Sequence, residues 1–450
     1  MPENRSKRRE ESLRRPPWPD RRLALALALL AFVVYNANGR LIAAGDSYAA
    51  RFQPFALWGE GSLYLDSIRE VTAQGHSNPY WIQPTPDGRW ASLYPVVVPV
   101  VVSPLYAPAV AYLRWKGWTG PRMDRAGQLM EKGSASLIAS AAVGWMFLLL
   151  RRRGLGQGDA ALLTLAFAFG TNTWVTGSQA LWQHGLGELL VVGALWFVTQ
   201  EPTPAHVLAA GAFTGLLAAN QPPDAILAAG FCVWALSWAR RRIPLFALAA
   251  AVPVALVITY NLIVFHQISG GSGAIGLIEI GFFDHPVPQG IAGLLVSPAR
   301  GLFVYSPFFL FLPLLFRRTL AEPDSRTLTA CVATAVVLQI DFYACTDWRG
   351  GHSWGYRFLT DLAPLLIWLL APIVASLRRP AKLAFVACCL FSVWVQAIGA
   401  FKYTGISDPA INDPADVEWR NVWSIEACPI LVERRQARAP ASLGRLLFPR

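Results

Sequence analysis

Charge is scarce in this 450-residue chain. Asp, Glu, Lys and Arg make up 15% of it, hydrophobic residues 54%, and mean hydropathy is +0.38. A soluble domain of that length is excluded, because it could not keep so much apolar surface from water. The alternating segments of a transmembrane barrel are missing too. What is present instead is a series of apolar runs of roughly 15–23 residues, the length of membrane helices. The six Cys have no CxxC spacing, so no thiol metal site or redox motif is indicated. No HExxH pattern and no Walker loop occur, and Gly270–Gly273 (GGSG) follows no strand, which argues against a nucleotide site. No internal repeat is evident. Nor does a small-residue cleavage site follow the first apolar run, so that run reads as an uncleaved anchor.

The net charge of +11 comes from 39 Lys and Arg against 28 Asp and Glu. The basic residues fall in short clusters between apolar runs, which makes them topology signals and gives no nucleic-acid footprint. The eighteen Trp read first as interfacial anchors.

Residues 1–22 form a basic tail, expected to be cytoplasmic, and Leu23–Ala44 is the first span. Ten later spans are expected at about Ser134–Leu150, Ala160–Gly177, Gly185–Thr199, Ala205–Ala219, Asp224–Trp238, Ile243–Phe265, Gly301–Phe316, Thr327–Cys345, Thr360–Leu377 and Lys382–Phe401. Tyr94–Leu113 is also long and apolar, but holds Pro95, Pro99, Pro104 and Pro108. If it crossed, the clusters Arg151–Arg153, Arg240–Arg242, Arg317-Arg318 and Arg378-Arg379 with Lys382 would all face the exterior. It is therefore read as a juxtamembrane or re-entrant element. The fold class is an all-α polytopic membrane protein with about eleven transmembrane helices. Residues 45–133 form a long first exterior loop with juxtamembrane helices. The membrane domain runs over 23–401, and an exterior tail over 402–450, in an inner (plasma) membrane. Cys345 and Cys428 then share the outer side, and their pairing is left open.

The polar groups crowd that same side. Asp46, in Gly45-Asp46-Ser47, is a membrane-edge carboxylate able to act as a general base on a hydroxyl; alternatively it caps the helix that starts at Ser47. Ser178–Gly185 (SQALWQHG) offers Trp182, Gln183 and His184 as an aromatic face, an amide and a titratable ring, or simply as interfacial residues. Leu294–Pro307 (LLVSPARGLFVYSP) places Arg300 in an apolar stretch, where it either snorkels or pairs with an anion such as phosphate. Asp347–Pro364 (DWRGGHSWGYRFLTDLAP) is the densest set. Arg349 and Arg357 suit phosphate oxygens, and Asp347 and His352 suit a polar ligand. The alternative is an internal network of Asp347–Arg349 and Arg357–Asp361 pairs. The sequence demands no cofactor. No metal ligand set is assigned, although a divalent ion held by Asp and His from distant loops stays open.

Taken in order, a charged first exterior loop, Tyr94-Pro95, LWQHG, SPARGLFVYSP and W-x-G-G-x-S-x-G-x-R-x-L-x-D-L-x-P resemble the GT-C superfamily of polytopic glycosyltransferases. The nearest likeness is to bacterial members related to protein O-mannosyltransferases and aminoarabinose transferases. That resemblance implies transfer of a sugar from a polyprenyl-phosphate carrier to a glycan, lipid or protein acceptor outside the cytoplasm. It implies Asp46 as base and Arg300, Arg357 and Arg349 as donor-phosphate ligands. Trp182, Gln183, His184, His352, Asp347 and Tyr94 would contact substrate. Ser47 stands where many relatives carry a second acid, and Tyr94-Pro95 replaces the Lys-Pro-Pro-Leu of aminoarabinose transferases, so sugar and acceptor stay open. The rival expectation is a lipid or solute transporter without chemistry, for which Asp341 is the main midspan ionisable group.

Overall fold

A computed structural model describes residues 18–69, 80–271, 283, 285–321, 325–439 and 443. The basic residues from Arg5 to Arg15, and His76, lie outside these. The described chain is almost entirely helical, with one two-stranded hairpin. Helices α1 (Trp18–Asn36) and α2 (Gly45–Glu60) open it. Strands β1 (Ile82–Pro84) and β2 (Trp90–Ser92) follow, then α3 (Val97–Val102) and α4 (Ala107–Lys116). The bundle is built from α5 (Gly120–Arg152), α6 (Gln157–Gly170), α7 (Gln183–Val198), α8 (Pro204–Asn220), α9 (Ala225–Trp238) and α10 (Ile243–Phe265). It continues with α11 (Val287–Val296), α12 (Leu302–Tyr305), α13 (Phe311–Leu320), α14 (Arg326–Ala344), α15 (Ala363–Ser376) and α16 (Arg379–Lys402). Short α17 (Asp408–Ile411) and α18 (Pro429–Arg434) belong to the tail.

Among the described residues six helices are long and apolar enough to cross a membrane, by length and composition alone. Five coincide with expected spans. The sixth, Val97–Lys116, is the Pro-rich run. The expected span over 301–316 is broken into short pieces at Ser306-Pro307 and again at Leu315, because a ring without an N–H cannot continue a helix. Helix α10 is almost wholly exposed along its apolar length, as a surface facing lipid would be. It lies against α8, where Gly211 and Gly215 have no room for a Cβ beside the backbone carbonyls of Phe246 and Ala250. That is the close approach a small-xxx-small pair permits.

The bundle has two distinct ends. At one, the Arg151 guanidinium donates to Asp20 at 3.0 Å, Lys382 pairs with Asp159, Arg318 reaches Ser376, and Arg152 lies over the Trp196 ring. Trp238 and Arg242 reach the carbonyls of Gln200 and Pro202 there. The clustered Arg and Lys thus gather together. At the other end, Asn38 donates to Gln179 at 2.6 Å, Trp182 to the carbonyl of Ile42 at 3.1 Å, and Arg40 to the carbonyl of Tyr403 at 2.5 Å. Helix α5 joins the two ends. Its Lys132 Nζ reaches the Tyr35 carbonyl at 2.8 Å, and about 30 Å of helix separates it from Arg152. The first twelve residues of α5 extend past that level, where Arg51 of α2 pairs with Glu131 at 2.5 Å. The Pro-rich run is tied to α2 at its middle and to this extension at its end. Trp58 of α2 donates to the Ser103 carbonyl at 2.9 Å, and Arg122 reaches the Lys116 carbonyl.

Candidate functional site

Asp46 sits in the first turn of α2, but it is not the cap. The cap position is Ala44, in extended conformation and without a side-chain bond to the helix. The capping alternative therefore falls away, and the carboxylate is available for other partners. Its Oδ1 accepts from the Tyr94 hydroxyl at 2.7 Å and the Tyr80 hydroxyl at 2.9 Å, and its Oδ2 pairs with Arg357. The hairpin explains the two phenols. Its register sets Ile82 opposite Ser92, and the same antiparallel register carried two residues further sets Tyr80 opposite Tyr94. Gly45 lets them close, since a Cβ there would overlap the Tyr80 ring and hydroxyl.

Arg357 enters from the 347–361 loop. One amino group donates to the Gly350 carbonyl at 3.2 Å and the other meets Asp46. Its guanidinium carbon lies 4.6 Å from the Trp182 ring centroid, a cation–π contact. Its buried Nε–H has no acceptor. Burial pushes the Asp46 carboxyl up, but Arg357 and the two phenols outweigh it and hold it below the ordinary carboxylate value. Burial, then Asp46, pushes the Tyr94 phenol up, so that it stays a donor.

The internal network expected within the loop is only half present. Arg349 grips Asp347 through Nε at 2.8 Å and an amino group at 2.6 Å, and stacks on Trp419. Arg357, however, pairs with Asp46, and Asp361 is taken by His184 Nδ1 at 2.5 Å. Arg300 is 1% exposed and neither snorkels nor faces an open site. Its guanidinium donates to the carbonyls of Arg349, Ser353 and Gly351 at 2.5, 2.7 and 2.8 Å. Both Arg300 and Arg349 were expected as phosphate ligands; here Arg300 clamps the loop through three carbonyls and Arg349 is held by Asp347 within it. Gln183 is buried next to His184, and its backbone carbonyl accepts from Asn220 at 3.0 Å. His352 is exposed and lies 3.5 Å from Asp408.

Several groups near this site were not anticipated as partners. Tyr80 lies outside any motif. Glu188 and Asp224 are fully buried, and together with Asp361 each keeps one carboxyl oxygen without a partner. Gly187 makes room for them, because a Cβ there would lie 3.3 Å from Asp224 and would meet Asp361. An ionisable residue inside an apolar run was the available signal. Among the described residues no three His, Cys, Asp or Glu side chains form a group able to hold a metal. Cys345 and Cys428 are both free thiols.

Two cavities are lined by neighbours of the ion pair. An apolar one of about 290 Å³ runs from Tyr94 and Pro95 past Pro222 to Val254, Val257 and Phe265, toward the lipid-facing α10. A more polar one of about 300 Å³ lies between Arg40, Ala44, Trp182, His352, Trp354 and Asp408. Tyr94 belongs to the first cavity and to Asp46, and Trp182 to the second and to Arg357. A scan against protein-family models finds none that matches this chain, and a search of curated proteins finds no match.

Proposed function

We propose that this chain is a membrane glycosyltransferase. It takes a sugar from a polyprenyl-phosphate carrier and transfers it to a hydroxyl acceptor at the outer face of an inner or plasma membrane. The observation that carries the reading is the Asp46–Arg357 pair, whose neighbours Tyr94 and Trp182 line an apolar and a polar cavity respectively. A prenyl chain suits the apolar cavity, whose Tyr94 end touches Asp46. Its phosphate would then arrive at Arg357, which has a spare Nε–H.

In the resting pair Asp46 is a weak base, because Arg357 favours its charged form. An arriving phosphate competes for that guanidinium and restores basicity at the moment the donor binds. The acceptor O–H then attacks the anomeric carbon while its proton passes to Asp46. The new C–O bond forms as the bond from that carbon to the phosphate oxygen breaks. The electron pair leaves with polyprenyl phosphate, where Arg357 stabilises the growing charge. The test is to incubate purified full-length protein with a panel of polyprenyl-phosphate sugars and measure released polyprenyl phosphate. No release with any member, in protein that binds the carrier, rejects the reading.

A transporter has one observation in its favour. His184, Glu188, Asp224 and Asp361 are ionisable groups buried among helices, as ion pathways require. Proteoliposomes separate the two readings, since translocation without transfer supports transport alone.

A further inference from the structure

The polar cavity is the better-built of the two, and nothing so far assigns it a ligand. Its outer wall comes from the tail. Glu433, fully buried, accepts from the backbone N–H of Thr404 and Ser407 and from both their hydroxyls, at 3.0 to 3.2 Å. Four bonds on one carboxylate hold the turn that presents Asp408. Arg300 secures the facing wall. It clamps Ser353 and lies 3.7 Å from Asp408. Both walls are therefore fixed before any ligand arrives, which lowers the cost of binding.

Within these walls the charges nearly cancel. Asp408 is buried beside Arg300, and Arg40 is taken by the carbonyls of Ala400 and Tyr403. A phosphate would find no unoccupied guanidinium, and an ammonium would find a carboxylate already matched. What stays available is neutral hydrogen bonding. Asp408 Oδ1 is buried without a hydrogen-bond partner, 3.7 Å from Arg300, while its Oδ2 accepts from the Tyr403 hydroxyl. His352 stands exposed 3.5 Å from Asp408 Oδ2. The indoles of Trp182 and Trp354 supply flat apolar walls. A carboxylate acceptor, an imidazole and aromatic faces fit a ring with hydroxyls on its edge and C–H groups on its face. A volume of about 300 Å³ is at the small end of ligand pockets, room for one ring and not for an oligosaccharide.

We infer that this cavity binds a single neutral sugar ring, the terminal residue of the acceptor, with Asp408 and His352 as its polar contacts. The inference rests on the glycosyl-transfer reading for the word acceptor, but not for binding. Ala44, which lines the cavity, is two residues before Asp46, so a bound hydroxyl is delivered to the base from this side while the carrier occupies the other.

The experiment is saturation-transfer NMR on the full chain in detergent. The probes are methyl glucoside, methyl mannoside and methyl galactoside, with cyclohexanol as the ring without extra hydroxyls. At least one hexoside should receive transfer on its ring protons and cyclohexanol none. Asp408→Asn and His352→Ala should each weaken that hexoside tenfold or more. His352 is exposed, so its variant keeps the test valid if Asp408→Asn fails to fold. No transfer to any hexoside, or unchanged binding in both variants, overturns the inference. The two proposals fail separately. Hexoside binding without release of polyprenyl phosphate keeps the cavity and loses the transferase. Release of polyprenyl phosphate with an acceptor KM unmoved by either variant loses the cavity alone.

Discussion

Arg357 and Asp46 stand 311 positions apart in the chain and share one ion pair. The partners come from α2 and from the last loop before α15. Arg300 and Arg349 do not stand in for Arg357, because Arg300 binds three loop carbonyls and Arg349 binds Asp347. Asp46→Asn keeps the shape and an acceptor oxygen for both phenols, but removes the base. Transfer should fall by about 10²- to 10⁴-fold, while carrier binding persists. Arg357→Lys should cost about 10²- to 10³-fold and raise the donor KM, since a point charge loses the fork geometry. Released polyprenyl phosphate, measured across donor concentrations, checks both.

Two carboxyls at this end should act on stability with opposite signs. Asp46 is held below its ordinary value of 3.8 because Arg357 and the phenols outweigh burial. Its contribution is present in full above pH 3.8 and lost as pH falls through the lowered value. Asp408 is raised, because burial outweighs Arg300 and Tyr403. The folded state holds its proton more tightly, so its contribution grows as pH falls toward 3.8 from above. Melting temperatures of wild type, Asp46→Asn and Asp408→Asn in one detergent read this directly. The gap between wild type and Asp46→Asn should close below pH 3.8. Asp408→Asn should gain on wild type above that pH and lose the gain below it.

The gathering of polar segments at one end was legible from charge spacing alone, because Arg clusters recur after alternate apolar runs. Asp46 and Arg357 could be singled out too, since a charge beside lipid is costly unless it has work to do. Their pairing was not legible. The loop offered Arg357 a nearer acid in Asp361, and only the folded chain reveals that His184 has taken it. Arg300 looked like an anion ligand for the same reason. A sequence displays its charge but not the three backbone carbonyls that surround it. Tyr80 reaches Asp46 through hairpin register, a property of paired strands that a three-residue β segment barely announces.

The His184–Asp361 contact should be a stability element first. Both side chains are 2% exposed. Removing the ring leaves a buried carboxyl oxygen without its partner, in addition to the one already unpaired. His184→Ala should therefore destabilise by about 1–3 kcal/mol. The double variant with Asp361→Leu should recover part of that loss, because an apolar pair of similar volume needs no partner. Denaturation of the three proteins in a single detergent measures the coupling. Equal losses in the single and double variants would mean the contact carries little.

Arg300→Lys separates a clamp from a phosphate ligand. A lysine ammonium cannot reach three carbonyls spread over residues 349 to 353 in the fixed fork of a guanidinium. At least one carbonyl is then left buried and unpaired, at about 1–3 kcal/mol. The loop should open locally, and amide exchange over residues 349–353 should rise about tenfold, the equivalent of about 1.4 kcal/mol. Ser353 and Asp408 both line the polar cavity and both depend on Arg300, so the acceptor KM should rise. The donor KM should hold, since Arg300 is not the group that meets the carrier. A phosphate ligand would give the reverse. Its loss would raise the donor KM and leave exchange in the loop unchanged. Measuring exchange and both KM values on one preparation decides which description of this buried cation is correct.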